Sequence, residues 1–308
     1  AFIKIQEGCN DFCTYCIIPY ARSKSRSVPL QKVLDEIQRL VDHDVKEVIL
    51  TGTNIADYGK DFDYSFDELV ETILSKTTLQ RLRLSSLDPS EITDKLLSLM
   101  DASGESASRL MPHFHVSLQS PVSRVLRTMK RHYRTEEVIS TLARIQNRNP
   151  EIFIGMDVIA GFPTETRKEH EEGMQILRDS FWTRLHVFPY SERSGTPATR
   201  LPESVEVSER KARAQEMMAL SKERHEKFSK SFIGKTLNGV LFETNHETGF
   251  ENLVVGHARN YMRVITKLPA AKGGLDRSNA SAFFNSTGNV RVGSVGAFPA
   301  QDFTLEAD

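Results

Sequence analysis

Cysteine is scarce in this chain: 308 residues carry three, all between positions 9 and 16. So few thiols exclude a fold held together by a disulfide framework. Long apolar runs are missing as well. None approaches the ~18 residues of a membrane-spanning helix, and no signal-peptide pattern opens the chain. Nor does charge of one sign dominate. Forty Lys and Arg against 41 Asp and Glu give a formal net charge of −1, so any nucleic-acid footprint must be local. An odd cysteine count without a secretory signal suits a reducing, cytoplasmic setting. The start lacks a methionine too. Ala1 lies inside an apolar stretch, AFIKIQ, as expected of a fragment whose natural N-terminal part is missing.

What is present describes a globular protein. Hydrophobic content of 39% and charged content of 26% suit a substantial core, and the length predicts about two domains. The three cysteines share one loop, GCNDFCTYCIIPYARSKSR, as Cys9, Cys13 and Cys16. Three readings compete for them. A disulfide would leave one thiol over and close a very small loop, against the geometry that bridges require. A structural zinc site needs four ligands, usually from two separated pairs, and no second pair exists here. An iron–sulfur cluster is held by thiolates, and closely spaced cysteines in one loop are its usual form. With three local thiolates, a cubane cluster would keep one iron open for chemistry.

After the apolar run FIKIQ, helix-like and strand-like segments alternate. VLDEIQRLV precedes KEVILTG, FDELVETIL precedes LQRLRLSS, and EITDKLLSLM precedes HFHVSLQ. EEVISTLARIQ then precedes IFIGMDVIAGF, and EEGMQILRDS precedes TRLHVFPY. Six strands with five intervening helices predict an α/β fold of parallel β/α units. Such barrels build their sites at the C-terminal strand ends. Turn-forming and polar residues gather at those ends: Gly52-Thr53-Asn54, Ser85-Ser86, Gln119-Ser120, Gly161-Phe162-Pro163 and Pro189-Tyr190. Taken singly, each is an ordinary turn residue; their recurrence describes a ring around one opening.

The spacing Cys9-x3-Cys13-x2-Cys16, with Tyr15 before the last cysteine, resembles the signature of the radical S-adenosylmethionine (SAM) superfamily. Together with LTGTNIADYG, LRLSSLDP, LQS, DVIAGFPTET and HVFPYSERSGTPA, it looks like a methylthiotransferase over residues 1 to about 200. The resemblance implies a partial (βα)6 barrel and a 4Fe-4S cluster on Cys9, Cys13 and Cys16 whose open iron chelates SAM. It places Tyr15, Gly52, Thr53, Asn54, Ser86, Gln119 and Gly161 near SAM, with the backbone of Val187 and Phe188 beside the adenine. Gly52 and Gly161 are expected where backbone approaches a ligand closely. It further implies a tRNA substrate and a reductase or flavodoxin-type electron donor. A second cluster is expected on the missing N-terminal domain. LSSLDP, TGTN and HVFPYSERSGTPA look most like the subfamily that acts on N6-threonylcarbamoyladenosine next to the anticodon. Subfamilies acting on isopentenyladenosine or on a ribosomal-protein aspartate are the alternatives.

Three basic stretches are candidates for phosphate contacts: Arg22, Lys24 and Arg26; Arg124, Arg127, Lys130, Arg131, His132 and Arg134; and Lys222, Arg224, His225, Lys227 and Lys230 on a long helix starting near Val207. From about Phe232 short strands with Gly and Asn turns predict a small β-barrel. This divides the chain into a first domain at 1–231 and a second at 232–308, the latter resembling the RNA-binding TRAM domain. Pro269–Gly288 is a long polar insertion, and its Phe283-Phe284 pair is expected to be buried. A function of another class also fits these features: a non-catalytic RNA-binding protein with a fully ligated structural metal.

Overall fold

The computed structural model describes residues 1–100, 109–243, 253–267, 284–298 and 302–307. Its strands form three sheets. The first runs β2-β1-β3-β4, from β1 (Phe2–Glu7), β2 (Arg26–Ser27), β3 (Glu47–Gly52) and β4 (Arg81–Leu84). The second runs β5-β6-β7-β8, from β5 (Ser86–Leu87), β6 (His113–Gln119), β7 (Phe153–Ala160) and β8 (Arg184–Pro189). Only Ser85 separates β4 from β5, so the two sheets are one parallel series interrupted at a single residue. All six expected strands are present and parallel. The series is open: β8 forms one edge, and β2 lies antiparallel on the free side of β1.

Helices α1 (Ile18–Ala21), α2 (Leu30–Asp42), α3 (Phe66–Lys76), α4 (Asp94–Ser98), α5 (Ser123–Thr128), α6 (Thr135–Arg148), α7 (Arg167–Asp179) and α8 (Val207–Lys230) complete this part. Capping boxes start two of them, Ser65 with Glu68 at α3 and Thr166 with Glu169 at α7, each meeting otherwise unpaired N–H groups. Period-2 alternation in the strands sets what they bury. In β6, Phe114, Val116 and Leu118 are buried, while His115, Ser117 and Gln119 on the opposite face stay half-buried. The buried set joins one core with Ile3 and Ile5 of β1, Leu50 of β3 and Val33 and Ile37 of α2. The other face of the series carries most of its polar residues, Glu47, Arg81, Arg83, His115 and Asp157 among them.

At the start of that polar face Glu47 meets two guanidinium groups, Arg81 at 2.7 Å and Arg83 at 2.9 Å. Burial works to raise the Glu47 carboxyl, but the two arginines outweigh it and hold it down at about 2.

Two compact units divide between Ser221 and Lys222, inside α8. The second is a closed barrel in the order β10-β11-β13-β12-β9. Its strands are β9 (Thr236–Glu243), β10 (Leu253–His257), β11 (Arg263–Lys267), β12 (Thr287–Phe298) and β13 (Asp302–Ala307). Every pair is antiparallel except β11 with β13. The sequence reading anticipated four of these strands and missed β13. It also erred at Phe284, which is 59% exposed; Phe283 and most of the polar insertion lie outside the described residues.

Candidate cofactor site

The cysteine loop follows β1 and is anchored by its last inward residue. Gln6 is buried and uses both ends of its amide. Its nitrogen donates to the carbonyl of Gly8 at 2.8 Å and to Ser25 Oγ at 2.7 Å. Its oxygen accepts the N–H groups of Thr53 and Asn54 at 3.1 and 2.9 Å. One side chain thus ties the loop to the end of β3. A second tie runs through Asp11, whose Oδ2 accepts from Asn54 Nδ2 at 3.2 Å and from Cys9 Sγ at 3.4 Å. From the other side, Thr14 donates its N–H to Met129 O and its hydroxyl to Thr128 O, while its carbonyl accepts from Ala198 N.

All three cysteines are free thiols, with Cys13 buried and Cys9 and Cys16 half-buried. Burial pushes the Cys9 thiol up to about 12, and burial also raises Cys13, against the pull of Arg131. Arg131 Nη1 stands 3.2 Å from Cys13 Sγ and Arg131 also pairs with Asp88. Among the described residues no three His, Cys, Asp or Glu side chains are gathered so as to hold a metal ion. The fit to an iron–sulfur cluster therefore rests on donor chemistry: three soft sulfur ligands on one anchored loop. Buried thiols that resist ionisation give up their protons when a metal binds them.

The remaining expected residues are distributed as follows. Tyr15 packs edge-on against Phe162 at 6.3 Å, and Phe162 against Tyr190 at 5.3 Å. Burial raises the Tyr15 hydroxyl well above its ordinary value. Ser86 is exposed at the end of the interrupted strand, opposite His115 in register. Gln119 closes β6 in the left-handed region at φ +64°. Val187 pairs with Val158 and Phe188 with Ile159, and Phe188 is 53% exposed. Gly52 and Gly161 are crowded by the chain itself, whatever lies beyond it. A Cβ on Gly52 would lie 2.8 Å from the carbonyl of Gln6, and one on Gly161, at φ +70°, would lie 2.6 Å from Arg210 Cγ.

The basic stretches also need revision. Arg131 points inward, Arg124 is bound to Glu169 and Thr164, and His225 is buried. Arg127, Lys130, His132 and Arg134 remain exposed, as do Arg22, Lys24 and Arg26. Sequence reasoning overlooked Gln6 and Asp11, and a polar row across three strands. In that row His115 Nε2 lies 2.8 Å from Asp157 Oδ1, and the His115 ring is 5.0 Å from that of His186. A charged residue inside the apolar strand IFIGMDVIAGF was the available signal for Asp157.

Curated relatives match most of this chain. The chain is 37% identical over 269 residues to the threonylcarbamoyladenosine tRNA methylthiotransferase MtaB of Bacillus subtilis, covering 87% of this chain and 59% of the relative. It is 39% identical over 267 residues to the protein of that name from Rickettsia prowazekii, covering 86% and 62%. It is 33% identical to the tRNA-2-methylthio-N(6)-dimethylallyladenosine synthase of Desulfitobacterium hafniense, covering 86% and 58%. The chain thus spans about three fifths of the length of these curated relatives. In fold it is similar to the radical S-adenosylmethionine methyltransferase TsrM of Kitasatospora setae, with a TM-score of 0.53 at 18% identity, over 64% of this chain and 38% of that one. The family model for the radical SAM superfamily matches residues 3–177, the stretch that holds the cysteine loop and β1 to β7. With a three-cysteine loop anchored at the mouth of an open parallel β/α series, the chain belongs to the radical SAM superfamily.

Proposed function

We propose that Cys9, Cys13 and Cys16 hold a 4Fe-4S cluster with one iron open to SAM. We propose further that the chain is the catalytic part of a tRNA methylthiotransferase acting on N6-threonylcarbamoyladenosine beside the anticodon. The observation that carries this reading is the Gln6 joint. It fixes the only three cysteines against the Thr53–Asn54 strand end, where a β/α series presents ligands. The relatives named for threonylcarbamoyladenosine, at 37% and 39% identity, favour that nucleoside over the dimethylallyl one, at 33%. When bound, a cluster with SAM supplies a carbon radical able to take hydrogen from a C–H bond that resists polar chemistry.

The chain's own residues do the rest. Gln6, Asp11 and Thr14 hold the loop, while Tyr15, Phe162 and Tyr190 form an aromatic wall that excludes water beside it. The hydroxyl of Ser86 and the half-buried amide of Gln119 offer hydrogen bonds to a ligand at the strand ends, and Val187 and Phe188 offer an apolar edge. We assign RNA contact to the second unit, as a TRAM-like barrel beginning near Phe232, and to the exposed basic residues after α1 and α5. The electron donor is a reductase or flavodoxin-type protein. We place a second cluster outside this chain, which spans about three fifths of the length of its relatives.

Cys9→Ala, Cys13→Ala and Cys16→Ala each test the assignment. In anaerobically reconstituted protein each variant is expected to lose both its iron and the cleavage of SAM to 5′-deoxyadenosine. A variant keeping full iron and full turnover would remove that cysteine from the ligand set. Spectra with and without SAM separate an enzyme from a protein with a closed structural metal, since only an open iron responds. Mass spectrometry of tRNA nucleosides from cells lacking the full-length protein identifies the substrate. Loss of the dimethylallyl derivative instead would favour the other nucleoside.

A further inference from the structure

Arg131 lies in the turn between α5 and α6, and its side chain is only 8% exposed. Burying a guanidinium costs several kcal/mol unless its charge is met and its donors are used. Here both conditions hold. Asp88, from the loop after β5, forms an ion pair with Nη2. Nε donates to the hydroxyl of Tyr133 at 3.0 Å, and the guanidinium lies over the Tyr133 ring, 4.9 Å from its centroid. That hydroxyl in turn donates to the carbonyls of Ser117 and Leu118 in β6. The planar fork is therefore fixed by groups that have nothing to do with the cysteine loop. Its remaining arm, Nη1, is aimed at Cys13 Sγ from 3.2 Å.

A neutral thiol is a weak acceptor. A guanidinium held this firmly by three elements suits a sulfur that carries negative charge, as a metal-bound thiolate does. Hydrogen bonds to ligand sulfurs, and the net charge around a cluster, set its reduction potential. Resting on the cluster assignment above, we propose that Arg131 is a positioning residue. It donates to the Cys13 thiolate and keeps a fixed positive charge beside it, raising the cluster's potential and so easing its reduction by the electron donor. Asp88 works in the opposite sense, as the negative charge that orients the fork and partly offsets it.

The two residues make predictions of opposite sign, which a merely structural role does not. The experiment reconstitutes the full chain anaerobically with iron and sulfide, measures iron per chain, and follows the cluster by electron paramagnetic resonance during a potentiometric titration. Arg131→Gln is expected to keep wild-type iron and to shift the midpoint to more negative potential by about tenfold in the one-electron equilibrium, or about 59 mV. Asp88→Asn is expected to shift it to less negative potential. A wild-type midpoint in Arg131→Gln overturns the proposal. Should Arg131→Gln take up no cluster, Asp88→Asn decides: an unchanged or more negative midpoint there also overturns it. Should the wild-type chain take up no cluster, the ligand assignment has failed and this proposal falls with it, a result told apart by the wild-type iron content.

Discussion

At the scale of single residues, a few buried polar groups do more than the apolar ones to specify this molecule. Gln6 satisfies two backbone N–H groups and two carbonyls from segments about 46 residues apart, Glu7 and Gly8 on one side and Thr53 and Asn54 on the other. Gln6→Ala strands those groups in a part-buried place, and we expect a loss of about 1–3 kcal/mol in urea unfolding. Iron retention should fall with it, because the cysteine loop loses its tie to β3. Unchanged iron and stability would mean the joint is incidental. Glu47 is the second case. Without its carboxylate, Arg81 and Arg83, 4% and 2% exposed, would both lose the buried anion that they contact. Glu47→Gln should therefore cost about 3–5 kcal/mol. The carboxyl titrates near 2 in the fold against an ordinary 4.5. A depressed carboxylate contributes stability that is present above its unfolded value and lost as pH falls through its folded one. Wild-type stability should drop between pH 4.5 and pH 2, and the variant should lack that component of the drop.

At the scale of elements, the strands and their helices were legible in the sequence, because apolar period and turn residues are local signals. KEVILTG and HFHVSLQ could be read without knowing what they face. The joints between elements were not legible. Arg131 looked like one more cation in MKRHYR, and its inward turn depends on Asp88, 43 residues away. Gly52 and Gly161 are also crowded from within the chain, by Gln6 and by Arg210 of α8, a contact that no local signal shows. Gly161 can be tested directly. Alanine there must adopt φ +70° and collide with Arg210, a strain of about 1–3 kcal/mol. Gly161→Ala should be destabilised in urea, and adding Arg210→Ala should not restore wild-type stability, because the alanine still carries its backbone strain and Arg210 no longer donates to the carbonyls of Val205 and Tyr190. Wild-type stability in the single variant would show that the turn relaxes.

At the scale of the whole molecule, the two units differ in how their strands are ordered. In the first, the parallel strands follow one another in sequence order within each sheet, β1-β3-β4 and β5-β6-β7-β8, so the series grows as the chain does. In the second, β13 is inserted between β11 and β12, and it makes the barrel's only parallel pair with β11. Removing Asp302–Ala307 should leave two unpaired strand edges, which template association between chains. A chain ending before Asp302 is thus expected to aggregate in light scattering while the full chain stays dispersed. The same insertion has a consequence for biosynthesis. On a ribosome delivering about 5–20 residues per second, the first unit can assemble strand by strand as it emerges. The barrel must wait with its ring open until its final strand is released. For that interval the nascent chain would present a ready edge, and it is there that a chaperone would be expected to bind.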